Sequence, residues 1–441
     1  MWLLKVTNLS ITPAVDHFWR FKTLTSTKKG SVCSMTAGLS VVIYEKMSVG
    51  RKRTKLVVIM MMVNFFIYIM VEISWNDHED KNSTKKMIIA DSVFWKQVTH
   101  IKPFWNREQH KLDELYNPVT AALHNRTVME NVNMTNMYTC EPNTNLKEEI
   151  SNFDSLPDRF KDFLTYLRCR SYPLIIDQPT KCQNKPVLLL AIKSLESHFD
   201  RRQAIRQSWG SEVTIKNKTI ARIFLLGRSS EIDDFPNLSD MLQFESNQHK
   251  DILLWDYRDT FFNLTLKEVL FLEWISKSCS NIQYIFKGDD DVFVNTLQII
   301  DYIDALGKDK AKDLFIGDVI TNAGPHREKK LKYYVPESVF EGVYPPYAGG
   351  GGFLYSGYLA KRLHNISYQV ALYPIDDVYT GMCLRKLGLA PEKHKGFRTF
   401  DIMQKDRQIT CAYKNLILVH SRNPQEMIRI WSRLQDPHLK C

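Results

Sequence analysis

The fold is decided by ILLW at residues 252–255, KEVLFLEWISK at 267–277 and YIF at 284–286, which follow one another along the chain. The first and third segments are short apolar runs, which is typical of buried strands. The middle segment has helical spacing, and Thr265 and Glu268 are placed as a capping box at its start. Strand, helix and strand form a βαβ unit, so the sequence predicts an α/β domain with a mostly parallel sheet flanked by helices.

Two further apolar runs extend this pattern toward the N-terminus. VLLLAI at 187–192 and ARIFLL at 221–226 are also predicted to be buried strands. Apolar density rises near residue 156 and stays high to the last residue. The folded, function-bearing domain is therefore predicted to span 153–441.

Three consecutive carboxylates follow the last of these strands, in KGDDDVFVN at 287–295. Ligands of open α/β sheets bind at the carboxyl ends of strands. In an extended segment, alternation sends Asp289 and Asp291 to one side and Asp290 to the other. Adjacent carboxylates repel each other, and a divalent cation would offset that repulsion. A solvated acidic turn is the alternative, against which the flanking apolar residues argue.

A second acidic pair, Asp376 and Asp377, begins a predicted helix. One interpretation is that these carboxylates belong to the functional site. The alternative is a helix-capping role, because carboxylates at a helix N-terminus are stabilised by the helix dipole.

A glycine-rich aromatic loop precedes that pair, in YPPYAGGGGF at 344–353. Gly350 and Gly351 would let the backbone approach a ligand closely, while Tyr347 and Phe353 could stack on it. A plain hinge is the alternative. The loop is not a phosphate-binding P-loop, because no Gly-Lys-Ser/Thr follows it.

Basic and imidazole groups complete the candidate site. Lys193 lies just beyond a predicted strand, and Arg202 and Arg206 lie four residues apart on one helix face, suited to phosphate oxygens. His420 ends the apolar run LILVH and could ligate a metal. A solvated charged face and a core histidine are the respective alternatives.

The net charge of +10 does not indicate nucleic-acid binding. Residues 1–55 contain ten Lys and Arg against two acidic residues, so nearly all the excess lies there. The rest of the chain is almost neutral, and no zinc-finger or RNA-motif spacing appears.

An apolar run at 56–75 is predicted to be a single transmembrane signal anchor. Basic residues at 47–55 precede it and acidic residues follow it, so the N-terminus is predicted to be cytosolic, as in a type II membrane protein. A cleaved signal peptide is the alternative. Residues 1–46 are predicted to be a dispensable extension, and the polar segment 76–152 a lumenal stem.

Glycosylation motifs and cysteines agree with an exported chain. Seven cysteines follow the anchor without metal-binding spacing, which favours disulfides in an oxidising compartment, with one thiol free or paired with another chain. Because the odd cysteine could pair with another chain, association into homo- or hetero-oligomers is one possibility. Seven N-x-S/T candidates lie on the predicted lumenal side: Asn82, Asn125, Asn133, Asn217, Asn237, Asn263 and Asn365.

Taken in order, the motifs resemble the β-1,3-glycosyltransferase family over about residues 150–441. The resemblance implies a glycosyltransferase A-type fold, a Golgi membrane location and a Mn²⁺ or Mg²⁺ cofactor. It also implies inverting transfer of N-acetylglucosamine from UDP-N-acetylglucosamine to the 3-hydroxyl of galactose in glycoprotein or glycolipid lactosamine acceptors. The motifs are RRQAIRQSWG at 201–210, FLLG at 224–227, DTFFNLTLK at 259–267, KGDDDVFVN at 287–295, YAGGGGF at 347–353 and DDVYTG at 376–381.

The resemblance also implies roles for individual residues. Asp291 matches the metal-holding carboxylate, with His420 as its co-ligand, and Asp377 matches the catalytic base. Asp376 stands where the family commonly has Glu, a conservative departure that leaves the base assignment standing. Lys193, the two helix arginines, Asp289 and Asp290 are expected to face the donor.

Three rival functions share these features. A β-1,3-galactosyltransferase using UDP-galactose differs only in pocket contacts that the sequence does not place. A non-catalytic type II membrane lectin would be expected to have damaged acidic motifs, whereas these are intact. A retaining or hydrolytic carbohydrate enzyme also uses paired carboxylates.

Overall fold

The computed structural model describes residues 102–116, 140–229 and 237–441. All of them belong to one compact unit that ends at Cys441. None of the helices in these ranges is long and apolar enough to cross a bilayer, and the predicted anchor at 56–75 lies outside them.

The strands found in the described residues are β1 (Leu174–Ile176), β2 (Leu188–Lys193), β3 (Thr214–Ile215), β4 (Lys218–Arg228), β5 (Ile252–Arg258), β6 (Tyr284–Asp289), β7 (Val292–Val294), β8 (Phe315–Gly317), β9 (Val319–Ile320), β10 (Tyr347–Ala348), β11 (Gly352–Ser356), β12 (Glu392–Lys393), β13 (Phe397–Arg398) and β14 (Leu418–His420). Nine of these strands form the central sheet, in the order β1-β5-β4-β2-β6-β11-β8-β12 with β3 paired to β4. The others form two small sheets, β10-β9 and β13-β14-β7.

Helices cover both faces of the sheet, and short 3₁₀ turns connect several elements. Within the described ranges the α-helices are α1 (Phe104–Leu115), α2 (Leu146–Glu149), α3 (Asp158–Thr165), α4 (Phe199–Arg206), α5 (Ser239–His249), α6 (Leu264–Ser278), α7 (Thr296–Ala305), α8 (Lys308–Ala311), α9 (Gly357–Ser367), α10 (Asp376–Lys386) and α11 (Pro424–Leu434).

The four predicted strands are confirmed as β2, β4, β5 and β6, and they are parallel to one another. Strand β2 is buried on both faces, so its side chains alternate between two cores. Leu189 and Ala191 join the core beneath α6, whereas Leu188 and Leu190 join the core on the opposite face. This is the expected packing of a near-continuous apolar strand in a three-layer α/β unit.

The prediction of a mostly parallel sheet holds for the neighbouring strands β5, β4, β2 and β6, but not for the sheet as a whole. Strand β11 runs antiparallel to both of its neighbours, β6 and β8, and β1 runs antiparallel to β5. The sheet is therefore mixed. Because β11 enters beside β6 from the opposite direction, the glycine-rich loop before it reaches the carboxyl end of β6.

The predicted capping box on α6 is wrong. The helix begins at Leu264, and no side chain caps it. The Thr265 hydroxyl donates to the carbonyl of Tyr373, and Glu268 is buried in an ion pair with Lys287. Both side chains are used by partners distant in sequence, so neither is available to the helix end.

Helix α1 lies in the predicted stem but packs into the main core. Trp105 is buried, and its indole N–H donates to the carbonyl of Leu372 at 2.9 Å. The ring also meets Phe340 and Tyr373 edge to face. This part of the predicted stem therefore packs against the same core as residues after 153.

All seven cysteines that follow the predicted anchor lie in the described ranges. Six form disulfides, and the seventh, Cys383, is a buried free thiol on α10. The prediction of disulfides with one cysteine left over is confirmed. The pairs are Cys140–Cys169, Cys182–Cys279 and Cys411–Cys441.

Candidate active site

The carboxyl end of β6 carries the three consecutive aspartates. Asp289 and Asp291 point to the same side, and one ligand atom from each lies within 4.8 Å of the others and of a His420 ring nitrogen. Asp290 points elsewhere. The expected grouping of Asp289 with Asp291 is observed. Asp290 and Asp291 form the turn between β6 and β7, so the grouping arises from this turn and not from an extended segment.

His420 reaches this cluster because β14 pairs antiparallel with β7, opposite Val292. Its Nδ1 lies 3.1 Å from the carbonyl oxygen of Thr399, and its Nε2 lies 3.4 Å from Asp291 Oδ1. The neighbouring Asp291 carboxylate raises the pKa of His420. When Nδ1–H donates to Thr399, the Nε2 lone pair faces the two carboxylates, which is how metal-ligating histidines are oriented.

Lys193 links the group of Asp289, Asp291 and His420, called here the metal-type cluster, to the second acidic pair. It ends β2, directly beside Asp289 in the sheet register. Its Nζ lies 2.9 Å from Asp289 Oδ1 and 2.9 Å from Asp376 Oδ2. Burial alone would lower the pKa of Lys193, but the two carboxylates raise it well above its ordinary value. The lysine therefore stays charged and holds the two acidic motifs together.

Asp376 and Asp377 are the first two residues of α10, and their environments differ. Lys193 outweighs the effect of burial on Asp376 and holds its pKa below the ordinary range. Burial and the neighbouring Asp376 charge raise the pKa of Asp377 to about 8. One carboxyl is kept ionised, and the other titrates near neutrality, as acid–base chemistry requires.

The glycine-rich loop passes over this pair without side chains. A Cβ on Gly350 would lie 3.1 Å from Asp377 Oδ2. Gly351 has φ +99°, and its carbonyl oxygen would lie 2.6 Å from a Cβ on Gly288 of β6. The loop therefore approaches both acidic motifs closely, and a side chain at Gly350 would crowd the Asp377 carboxyl.

The two aromatic residues of the loop differ in their contacts. Tyr347 is half-buried, and burial together with the nearby Asp377 carboxyl raises its pKa to about 12. Phe353 is only 4% exposed and stacks on Phe315 at 4.6 Å between ring centres. The prediction that Phe353 stacks on a ligand is wrong, because β11 directs its ring into the core.

The comparisons with known proteins agree with this geometry. A family model described as galactosyltransferase matches residues 200–395, which include both acidic motifs and the glycine-rich loop. N-acetyllactosaminide β-1,3-N-acetylglucosaminyltransferase 2 of Mus musculus is 61% identical over 397 residues, which cover 90% of this chain and 100% of the relative. The Homo sapiens protein of the same name gives the same identity and coverage.

The chain belongs to the β-1,3-glycosyltransferase family.

A more distant member is UDP-GlcNAc:betaGal β-1,3-N-acetylglucosaminyltransferase 7 of Mus musculus, 40% identical over 68% of this chain and 77% of that protein. Among solved structures, an apo bifunctional glycosyltransferase named WbbM aligns with a TM-score of 0.31 and 12% identity, over 57% of this chain and 50% of that one. That likeness is too low to carry an argument.

Two arginines expected to face the donor in this glycosyltransferase are instead structural. Arg202 is fully buried, and its guanidinium makes a bidentate ion pair with Glu245, from Nε to Oε1 and from Nη2 to Oε2. Arg206 pairs with Glu245 and Asp251. The interpretation of their i, i+4 spacing as a phosphate site is wrong. Both guanidinium groups already form ion pairs, with Glu245 of α5 and, for Arg206, also with Asp251 before β5.

Replacing Arg202 with Ala is expected to lower the free energy of unfolding by about 3–5 kcal/mol, because a fully buried side chain is removed and Glu245 keeps only Arg206 as a charged partner. Urea denaturation would measure the loss. The matched control is Arg433→Ala, which removes an exposed arginine of α11 and should change little. Weaker UDP binding by Arg202→Ala at unchanged stability would instead restore a phosphate role.

Asp290 directly follows β6, and its side chain is buried. Its carboxylate accepts from Ser194 Oγ at 2.7 Å and Arg201 Nη1 at 2.8 Å, and lies 2.7 Å from His198 Nδ1. Burial would raise the pKa of Asp290, but these partners lower it. Asp290 therefore holds the β2–α4 connection against the end of β6 and does not join the metal-type cluster.

A cavity of about 390 Å³ opens at this end of the sheet. Asp289, Asp290 and Asp291 line one part of it, and the segment Asp259–Phe261 lines another. The cavity also receives several basic side chains. Those that line it are Arg159, Lys193, His198, Arg201 and Lys267.

A buried ion pair beneath the site escaped sequence reasoning. Lys287 of β6 pairs with Glu268 of α6, and both side chains are almost fully buried. Burial, and then the charge of Lys193, lower the pKa of Lys287 to about 7. Its Nζ lies 5.6 Å from the centre of the Phe353 ring. The available signal was a lysine directly after the apolar run YIF and a glutamate near the start of the α6 segment.

The glycosylation candidates differ in accessibility. Asn217, Asn237 and Asn365 are exposed. Asn263 is buried, and its side-chain amide donates to the carbonyl of Arg258 at 2.8 Å, so a glycan there would require that bond to be given up. The candidates Asn82, Asn125 and Asn133 lie outside the described residues.

Proposed function

We propose that this chain transfers N-acetylglucosamine from UDP-N-acetylglucosamine to the 3-hydroxyl of terminal galactose in N-acetyllactosamine, and so extends poly-N-acetyllactosamine chains. The observation that carries the proposal is the meeting of two acidic motifs at the carboxyl ends of β2 and β6. Lys193 bridges them at 2.9 Å on each side. The relatives named above support the choice of sugar.

Asp289, Asp291 and His420 are proposed to hold Mn²⁺ or Mg²⁺. Two carboxylate oxygens and one imidazole nitrogen within 4.8 Å of one another fit such an ion, which favours oxygen ligands with an occasional histidine. When bound, the ion would offset the negative charge of the departing diphosphate. Asp289 therefore moves from the predicted donor contacts to the proposed ligand set.

Asp377 is proposed to be the general base. In an inverting displacement, its carboxylate takes the proton from the acceptor 3-hydroxyl while that oxygen forms its bond to the anomeric carbon and the bond to UDP breaks. Lys193 keeps Asp376 ionised. Burial and the negative charge of Asp376 then raise the pKa of Asp377, so that its carboxylate can accept a proton near neutral pH. Gly350 leaves room for the sugar ring beside it.

A nucleotide-sugar panel with lactosamine acceptors tests the function, using a soluble chain that starts at Asp77. Turnover with UDP-N-acetylglucosamine and little with UDP-galactose is expected. The family model's description favours UDP-galactose as the second candidate donor, and preferential galactose transfer would establish it. Acceptor binding without turnover on any donor would indicate a lectin.

The cellular setting is part of the proposal. A single anchor at 56–75 would place the described unit in the Golgi lumen as a type II membrane protein acting on glycoproteins or glycolipids. Six disulfide-bonded cysteines in the described ranges support an oxidising compartment.

Replacing Asp376 with Asn is expected to shift the acid limb of the pH profile. In the wild type, kcat/KM should rise with pH through a pKa well above the ordinary carboxyl value of 3.8 and toward about 8, because the base must lose its proton. Removing the Asp376 charge stabilises ionised Asp377, so the limb should move to lower pH. The measurement is kcat/KM as a function of pH for both proteins. Identical acid limbs would contradict the prediction.

A further inference from the structure

Arg201 is the arginine of α4 that remains open to the cavity at the end of β6. Its side chain is 34% exposed, whereas those of Arg202 and Arg206 are 0% and 7% exposed and paired in the interior. Arg201 lines the cavity together with Asp289 and Asp291. Of the three arginines in the segment RRQAIR, it is therefore the one placed to meet a ligand.

Asp290 fixes the position of this guanidinium. Arg201 Nη1 donates to Asp290 Oδ1 at 2.8 Å, while Ser194 and His198 hold Asp290 Oδ2. Among the described residues, Asp290 is the hydrogen-bond partner of Arg201, so most of the five N–H donors of the guanidinium stay available. A buried carboxylate with three partners is a rigid support, and a guanidinium fixed at one nitrogen loses little further freedom on binding.

The place of Arg201 beside the proposed metal ligands favours a phosphate at this position. Burial alone would lower the pKa of Arg201, but the carboxylates of Asp290 and Asp291 raise it, so Arg201 lies within electrostatic reach of the proposed metal ligands. A ligand that contacts a cation at Asp291 and a guanidinium beside it must carry negative charge on adjacent groups. A diphosphate has this character, and the planar guanidinium matches its oxygens.

We propose that Arg201, positioned by Asp290, contacts the diphosphate of the nucleotide donor directly and independently of the metal ion. This rests on the proposed use of a UDP-sugar. It transfers to Arg201 the phosphate-binding role that the helix spacing had suggested for Arg202 and Arg206. Asp290 is then a positioning residue, which explains why the middle aspartate faces away from the cluster of Asp289, Asp291 and His420.

Titration calorimetry of the soluble chain with UDP and with uridine, each in excess chelator and with Mn²⁺, tests this assignment. Arg201→Gln should weaken UDP binding about 10- to 100-fold in both conditions, the scale of one charge-assisted contact, and leave uridine binding unchanged. Asp290→Asn should weaken UDP binding in the same direction. The double variant should bind UDP no more weakly than Arg201→Gln, because both changes remove one contact.

Arg433→Gln is the matched control. If Asp290→Asn does not fold, Arg201→Lys still tests the role of the guanidinium. The lysine variant should recover part of the UDP affinity through its charge. Unchanged UDP affinity in Arg201→Gln, an equal loss for uridine, or a loss confined to the Mn²⁺ condition would each overturn the assignment. Absence of UDP binding by the wild type would instead count against the proposed function itself.

Discussion

Replacement of Asp377 with Asn is expected to lower the rate of transfer by at least ~100-fold, the usual scale of general-base catalysis. Asn keeps the size of the side chain, and no side chain caps α10, so the helix end should be little affected, but Asn cannot accept a proton at neutral pH. UDP binding should persist, because Asp377 lies outside the proposed metal ligands. Transfer rates measured beside UDP affinity separate the two effects.

The same variant should be at least as stable as the wild type. The pKa of Asp377 is raised from 3.8 to about 8, so the folded protein holds a proton that the unfolded chain releases between these pH values. Folded stability is therefore lost as pH rises through this window, and Asn removes that loss. Thermal melting at neutral pH should show an equal or higher melting temperature, as is common where a site is built for chemistry at the expense of stability.

Asp158→Asn is a matched control, since Asp158 also lies in the first turn of a helix, α3, but outside the site. It should leave transfer unchanged. A stable Asp377→Asn protein with a near wild-type rate would reject Asp377 as the base and make Asp376 the next candidate.

The sequence predicted those parts of the fold that depend on local pattern. Apolar runs identified β2, β4, β5 and β6, because strands buried on both faces leave a continuous signal. Strand alternation predicted the grouping of Asp289 with Asp291, although the structure achieves it through a turn at Asp290 and Asp291. By contrast, the antiparallel entry of β11 depends on which strands pair across the sheet, and no local pattern encodes that pairing.

Side chains with distant partners were the main source of error. Arg202 and Arg206 have the spacing of a phosphate site, but Glu245 and Asp251 occupy them. Phe353 follows a loop rich in glycine, yet its strand directs it inward. The role of Arg201 depends on Asp290, which lies 89 residues further along the chain, so only the folded structure distinguishes it from its neighbours.

Replacement of Asp291 with Ala is expected to lower transfer by about 100- to 1,000-fold, the scale on which single charge-stabilising groups act in active sites. Asp291 supplies one of the three proposed ligand atoms, and His420 Nε2 lies 3.4 Å from it. Without Asp291, two ligands remain, and the affinity for the ion should fall. UDP should therefore bind more weakly to Asp291→Ala than to the wild type when Mn²⁺ is present, and equally well in excess chelator.

Chelation of the wild type should reproduce the behaviour of Asp291→Ala, because the chelator removes the ion and the substitution weakens its binding. Asp301→Ala provides the control: this aspartate of α7 is about half exposed and pairs with Lys216 at the surface, so its loss should not affect transfer. The metal dependence also separates Asp291 from Arg201, whose loss should weaken UDP binding with or without the ion. Full wild-type turnover in excess chelator would remove the ion from the mechanism and leave Lys193 and Arg201 as the groups that balance the departing diphosphate.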